Sequence, residues 1–253
     1  MNTPTMQVEE IPRKEVLKEF GRDYRAGQHV TFLGPKQRGK TTLALQLLKQ
    51  CISPELRCII LAGKPPDRDK TMNDAAKELN LRVVETWPPT YSPRDRKRNG
   101  YVLRPYQTLK DLDADNANIQ SEFRKALMSA YASKKPVIIV CDEAHHVQND
   151  MKLKKEYEAS LMRGAPVVAE WSLIQRGAYM SYHAYSEADH LFIFYDPDAK
   201  NRKRYSDFGG LDPRTTEAII ESLELNKASN GMTISECLYI QRADPTPVIV
   251  GMK

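Results

Sequence analysis

Residues Gly34-Pro-Lys-Gln-Arg-Gly39-Lys40-Thr41 lie between an apolar run, His29-Val-Thr-Phe-Leu33, and a helix-patterned run, Thr41-Thr-Leu-Ala-Leu-Gln-Leu-Leu48. Few local sequences restrict a fold as much. The octet fits G-x-x-x-x-G-K-[ST] in full, and a strand before it with a helix after it gives that pattern its physical meaning. Backbone N–H groups of such a loop point inward at an anion, and the helix N-terminus adds the positive end of its dipole. Glycine at 34 and 39 keeps side chains out of the path of phosphate oxygens. Lys40 is placed to bridge β- and γ-phosphates, and the Thr41 hydroxyl to ligate Mg²⁺. Pro35, Lys36, Gln37, Arg38 and Thr42 complete the expected phosphate cradle.

The remaining chain alternates as such a loop requires. Arg57–Ala62, Leu81–Trp87, Val137–Cys141, Val167–Ile174 and His190–Tyr195 read as further strands. Helical patterns fall at Asp74–Leu79, at Asn116–Ser133 with Ile119, Phe123, Leu127 and Ala130 on one face, and at Thr215–Leu223. Continuous apolar strands alternating with helices predict an α/β fold, a mostly parallel sheet with helices on both faces. Glu236–Arg242 and Pro247–Met252 predict a small C-terminal hairpin. Residues 1–27 read as a polar leader with one helix, Arg13 to Tyr24. Residues 28–253 read as one domain with a Pro-rich basic insertion near 88–115.

A length of 253 residues suits one large domain of this class, and 41% apolar with 28% charged residues is ordinary for a soluble globular protein. No apolar run reaches the span of a membrane helix, and the N-terminus lacks the basic-then-apolar layout of a secretory signal, so a cytoplasmic protein is expected, in the host cytoplasm if viral. Cys51, Cys58, Cys141 and Cys237 are scattered, three of them in apolar segments, which favours reduced core thiols. Cys141, His145 and His146 supply too few ligands for a convincing metal site.

Val137-Ile-Ile-Val-Cys-Asp142-Glu143 is an apolar strand ending in two acids. Beside a phosphate loop, Asp142 would complete the Mg²⁺ shell and Glu143 would polarise the water attacking the γ-phosphate. The pair narrows the class. Signalling GTPases carry an N-K-x-D guanine reader, whereas Asn226-Lys-Ala-Ser229 lacks its acid. Asp142-Glu-Ala-His145 echoes a helicase superfamily that needs two motor domains, and this chain has room for one. A nucleoside triphosphate with Mg²⁺ is therefore the expected cofactor; the missing guanine reader, together with the family resemblance given next, makes it ATP, and ATP hydrolysis the expected reaction.

Beyond these two motifs the chain resembles the FtsK/HerA-like branch of P-loop ATPases, with a RecA-like core, which includes DNA-pumping and viral genome-packaging motors. The likeness rests on Leu161-Met-Arg163-Gly-Ala, on Ser172-Leu-Ile-Gln175-Arg176, on Phe208-Gly-Gly210-Leu-Asp-Pro and on the closing Val248-Ile-Val-Gly251. It spans roughly residues 28 to 252. The resemblance implies that Gln175 is a polar sensor of the γ-phosphate or attacking water. It implies that Arg163 is an arginine finger reaching a neighbouring subunit's nucleotide, with Arg176, Arg202 and Arg204 as rivals. The chain departs from the family in its short length, in lacking a recognisable N-terminal barrel, and in its Pro-rich 88–105 segment. A compact packaging motor fits these departures better than a chromosome-segregation protein.

The formal charge is +5, which is compatible with a polyanionic partner. Two basic clusters, Arg94-Asp-Arg96-Lys97-Arg98 and Lys200-Asn-Arg202-Lys203-Arg204, read as exposed loops able to track DNA phosphates along a pore. The leading expectation is a homo-oligomeric ring that translocates double-stranded DNA, with a portal or other phage assembly protein as a further partner. The competing expectation is an assembly or secretion ATPase acting on protein, in which these clusters are solvated surface. A nucleotide-binding structural subunit is a third reading, against which Lys40, Thr41, Asp142 and Glu143 argue together.

Overall fold

A computed structural model describes residues 8–164, 166–175, 183–205, 212–227 and 233–252. Its central strands are β2 (Val30–Leu33), β3 (Arg57–Leu61), β4 (Leu81–Val84), β5 (Gly100–Leu103), β6 (Val137–Cys141), β7 (Val168–Ile174) and β8 (His190–Phe194). β1 (Glu9–Ile11), β11 (Cys237–Gln241) and β12 (Val248–Val250) extend them on one side. The ten form one sheet in the order β1-β12-β11-β8-β2-β7-β6-β3-β5-β4. All pairings from β8 to β4 are parallel, while β11 runs antiparallel to both β8 and β12. β9 (Leu225–Lys227) and β10 (Thr233–Ser235) form a separate antiparallel ribbon.

Every residue of β6, β7 and β8 is buried, as strands covered on both faces must be. One face carries α1 (Arg13–Asp23), α2 (Lys40–Cys51) and α3 (Lys70–Glu78), which set Phe20, Leu43, Leu47 and Met72 against Phe32, Ile60, Val140 and Trp171. The other carries α4 (Leu112–Tyr131), α5 (Lys154–Arg163) and α8 (Pro213–Ser222), packing Phe123, Leu127, Tyr157 and Ile220 on Leu61, Ile139, Val168 and Ile193. Asp69, Asp111 and Asp212 cap α3, α4 and α8 by accepting from the backbone N–H of Met72, Ala114 and Thr215. Two short helices, α6 (His183–Ser186) and α7 (Ala199–Tyr205), flank β8.

The α/β reading of the sequence, with its mostly parallel sheet, holds. Three local features differ from expectation. The segment before residue 28 is built into the same sheet and core: β1 pairs with β12, and Phe20 and Tyr24 of the first helical stretch pack on Trp171. The Pro-rich stretch contains a sheet strand, since β5 lies between β3 and β4; only four residues long and preceded by prolines, it carries little alternation to read. The C-terminal hairpin is present as β11 and β12, but β11 also pairs along β8 and so widens the main sheet.

Candidate active site

The phosphate loop runs from the end of β2 to the start of α2, at the C-terminal edge of the parallel strands, where α/β sheets place ligands. Gly34 has φ +145, and a Cβ there would meet the Phe194 side chain at 2.8 Å. Gly39 is left-handed at φ 83, turning the chain into α2. Non-glycine Gln37 shares that strained region at φ 60. Lys40 is buried, and its ammonium donates to the carbonyl oxygens of Gly34 at 2.6 Å and Pro35 at 2.7 Å. Burial pulls its pKa down to about 8, against the pull of Asp142 and Glu143. Arg38 lies over the Tyr195 ring, 4.9 Å from its centroid, fastening the loop to the segment after β8.

Asp142 and Glu143 leave the tip of β6, two strands from β2. Thr41 Oγ1 and Asp142 Oδ1 are 3.4 Å apart. Burial raises the Asp142 pKa, Lys64 opposes this, and the neighbouring Glu143 reinforces it. Glu143 has φ 67, a left-handed conformation costing a side chain on the order of 1–3 kcal/mol, and its carbonyl accepts from His146 N at 2.8 Å, the first residue of a π-helical turn, His146–Asp150. The turn aims the carboxylate back over the cleft. There Gln175, just past β7, donates its amide to Glu143 Oε1 at 2.9 Å. Burial alone would raise Glu143, but Lys64 and Gln175 outweigh it and hold the carboxyl below its usual range.

Lys64 is the residue sequence reasoning missed. It follows β3, and its ammonium stands 3.0 Å from Glu143 Oε1 and 3.7 Å from Asp142 Oδ2. Burial works against its charge, yet the two carboxylates outweigh burial and raise its pKa. The signal available was a strand followed by Ala62-Gly63-Lys64, which any parallel sheet brings to the edge holding the phosphate loop. A second missed group is buried Arg104, just past β5, which bonds Asn73 at 2.5 Å and Asp69 at 3.4 Å and so fixes the start of α3 above the cleft.

Lys36 to Thr42, Lys64, Thr71, Asp142, Glu143, Leu173 and Gln175 line one cleft of about 500 Å³. Arg163 does not join it. It is exposed in the last turn of α5, which feeds the opposite end of β7 from Gln175, on the order of 20 Å away along the strand. Arg94, Arg96, Lys97 and Arg98 lie before β5, also at that far edge; Arg96 bonds the Tyr91 hydroxyl and Arg98 bonds Asn80. Lys200, Arg202, Lys203 and Arg204 form α7 on the cleft side of the sheet. Arg202 departs from its expected role as an exposed phosphate contact. Its guanidinium is largely covered and paired with Glu221 at 2.5 Å and with the carbonyls of Asp196 and Pro197. Arg176 and the Phe208–Gly210 pattern fall outside the described residues.

No protein-family model matches the sequence, and no curated protein matches it significantly. Solved structures do. The genome packaging NTPase B204 from Sulfolobus turreted icosahedral virus 2, in complex with sulfate, superposes with a TM-score of 0.53 at 13% identity, over 91% of this chain and 98% of that one. Its complex with AMPPCP gives 0.50 at 14% identity, over 90% and 98%. B204 described as the DNA-packaging ATPase from Sulfolobus Turreted Icosahedral Virus gives 0.52 at 15% identity, over 91% and 100%. The chain thus has the P-loop NTPase fold, in the form seen in these viral packaging NTPases.

Proposed function

We propose that the chain is a Mg²⁺-dependent ATPase that drives double-stranded DNA, as a genome-packaging motor working in a ring. The observation carrying the enzymatic part is the convergence of Lys40, Thr41, Asp142, Glu143 and Gln175 on one cleft. Thr41 Oγ1 and Asp142 Oδ1 are hard oxygen donors facing each other across the cleft, a set that fits Mg²⁺. Bound there with a nucleotide, Mg²⁺ would offset charge on the β- and γ-phosphates. The chain's own residues do the rest. Lys40 and the loop N–H groups hold the phosphates, Glu143 takes the proton of the attacking water, and Gln175 keeps the Glu143 carboxylate aimed. Adenine is preferred over guanine because Asn226-Lys-Ala-Ser229 lacks the guanine-reading acid.

The motor part rests on the likeness to the packaging NTPase, which covers nearly the whole of that chain, and on the placement of α7. Lys200, Lys203 and Arg204 stand on the same sheet edge as the cleft, so a shift in the phosphate loop can reach DNA through Arg38, Tyr195 and α7. Arg163, remote from its own cleft, serves as a finger only for a neighbour's nucleotide, and a ring provides that neighbour. Among the described residues no helix is long and apolar enough to cross a membrane; we place the motor in the cytoplasm, of the host if viral, docking on a portal or similar assembly protein. The engagement of Arg96, Arg98 and Arg202 within the fold favours the second reading, an assembly or secretion ATPase acting on protein. Phosphate release from ATP in wild type and Glu143→Gln, with and without Mg²⁺, tests the enzymatic part; turnover that ignores both changes would refute it.

A further inference from the structure

The chain from β5 into α4 turns three large apolar side chains into solvent: Tyr106 is 61% exposed, Leu109 54% and Leu112 75%. One exposed apolar residue needs no explanation, but several close together mark a contact surface when the backbone beneath them is fixed. Here it is fixed. Asp115 of α4 accepts from Thr108 N at 2.7 Å and from Leu109 N at 2.8 Å. Gln107 Nε2 donates to the Gly63 carbonyl at 2.9 Å, and Asn118 Nδ2 to the Tyr106 carbonyl at 2.9 Å. These bonds impose on Leu109 a left-handed backbone at φ 58, which a leucine adopts only under such constraint. A surface shaped before docking gives up little freedom on docking. With one lysine, Lys110, among three apolar side chains, it suits a protein and not DNA phosphates.

A receiver of matching character lies on the same chain. α2 and α3 flank a groove of about 720 Å³, with Leu45, Ala75 and Leu79 along it. That volume lies within the roughly 300–1,000 Å³ of pockets that bury a compact ligand. The charges match in kind. Lys110 and Asp113 stand beside Leu112, and Asp74 and Lys70 line the groove, so each surface offers one of either sign. The groove's other two charges, Lys49 and Glu78, pair with each other at 2.6 Å. The loop cannot fill the groove of its own chain, because α4, which it begins, covers the sheet face opposite to α2 and α3. A second copy can. Contact between two different surfaces of identical chains runs head to tail, and closes into a ring when the rotation per copy allows.

We propose that the loop Tyr106–Leu112 of one copy seats in the α2–α3 groove of the next, with Leu109 and Leu112 on Leu45, Ala75 and Leu79. This contact deepens the motor reading above and rests on its ring of neighbours. Thr42 and Thr71 line both the groove and the phosphate cleft, so the seat abuts the nucleotide site.

The test uses the full chain carrying Cys51→Ser, since the other three cysteines are buried. Lys110→Cys and Asp74→Cys, made in separate chains, are mixed with Mg²⁺ and a β,γ-methylene ATP analogue and treated with a short bis-maleimide. A covalent pair should form in the mixture and in neither variant alone. Mass photometry follows assembly of wild type and of Leu109→Asp with Leu112→Asp, and thermal melts report folding. Because both leucines are exposed, that double variant should fold as wild type does, while needing about tenfold more protein to assemble. Cross-linking of either cysteine variant with itself, rings that form without the mixed cross-link, or assembly indifferent to the two aspartates overturns this contact while the motor reading stands. A wild type that stays monomeric at every concentration, with nucleotide and DNA, overturns both.

Discussion

Gln175 donates its side-chain amide to Glu143 across 2.9 Å, joining the tip of β7 to the tip of β6. Both residues follow fully buried strands, so the bond is made between two rigid supports. Such a contact orients a base without sharing its chemistry. Gln175→Ala should lower kcat roughly a hundredfold with little change in KM or melting temperature. A rise in KM with kcat intact would instead make Gln175 a ground-state binding residue.

Glu143→Gln removes the proposed base and keeps the shape. Hydrolysis should fall by about 10²–10⁴, while ATP still binds and remains uncleaved in single-turnover assays. Turnover near the wild-type rate would transfer the base role to another group.

Lys40 carries a charge into a buried position and loses it near pH 8, whereas the unfolded chain keeps that proton to about 10.5. Because the folded pKa is the lower one, the folded protein is penalised at every pH below about 8, and the penalty fades as pH rises toward 10.5. Lys40→Met should therefore stabilise the fold at pH 7, by up to about 3 kcal/mol, while abolishing nucleotide binding. The gain should shrink in denaturation curves taken from pH 8 to 10. A stability difference that is constant over that range would contradict the burial argument.

The phosphate loop and the acid pair were legible because each is a run of neighbours in sequence with a strand beside it. Gln175 was singled out by resemblance alone, and the structure sets it against Glu143. Lys64 was not, since its partners lie far along the chain and meet it only because β3 sits beside β6, an order that local pattern does not encode. β5 was hidden by its brevity among prolines, and β1 because three residues, Glu9-Glu10-Ile11, show no strand pattern until β12 pairs with them. The basic clusters were legible as charge, but whether an arginine such as Arg202 faces solvent or pairs within the fold depends on α8, which supplies Glu217 and Glu221.

Tyr24 fastens α1 to the sheet, accepting from Trp171 Nε1 at 3.0 Å in the interior. Tyr24→Phe would leave that N–H buried without an acceptor and should cost about 1–3 kcal/mol in urea denaturation, with nucleotide affinity unchanged. An unaltered midpoint would mean that α1 contributes nothing to the core through this bond.

Charge reversal separates the two basic clusters. Lys200→Glu with Lys203→Glu should weaken DNA binding at low salt and flatten its salt dependence by about 0.9 for each phosphate that is no longer neutralised. Reversal at Arg94 and Lys97, on the opposite edge of the sheet, supplies the comparison. DNA affinity unchanged by either reversal would favour a protein substrate.

The most direct measurement is the rate of ATP hydrolysis per chain, taken with and without double-stranded DNA over a wide range of protein concentration. A shared active site in a DNA-driven ring requires the specific rate to climb steeply with concentration, to rise further with DNA, and to lose the concentration dependence in Arg163→Ala. A specific rate indifferent to both DNA and concentration would contradict a ring-shaped DNA motor.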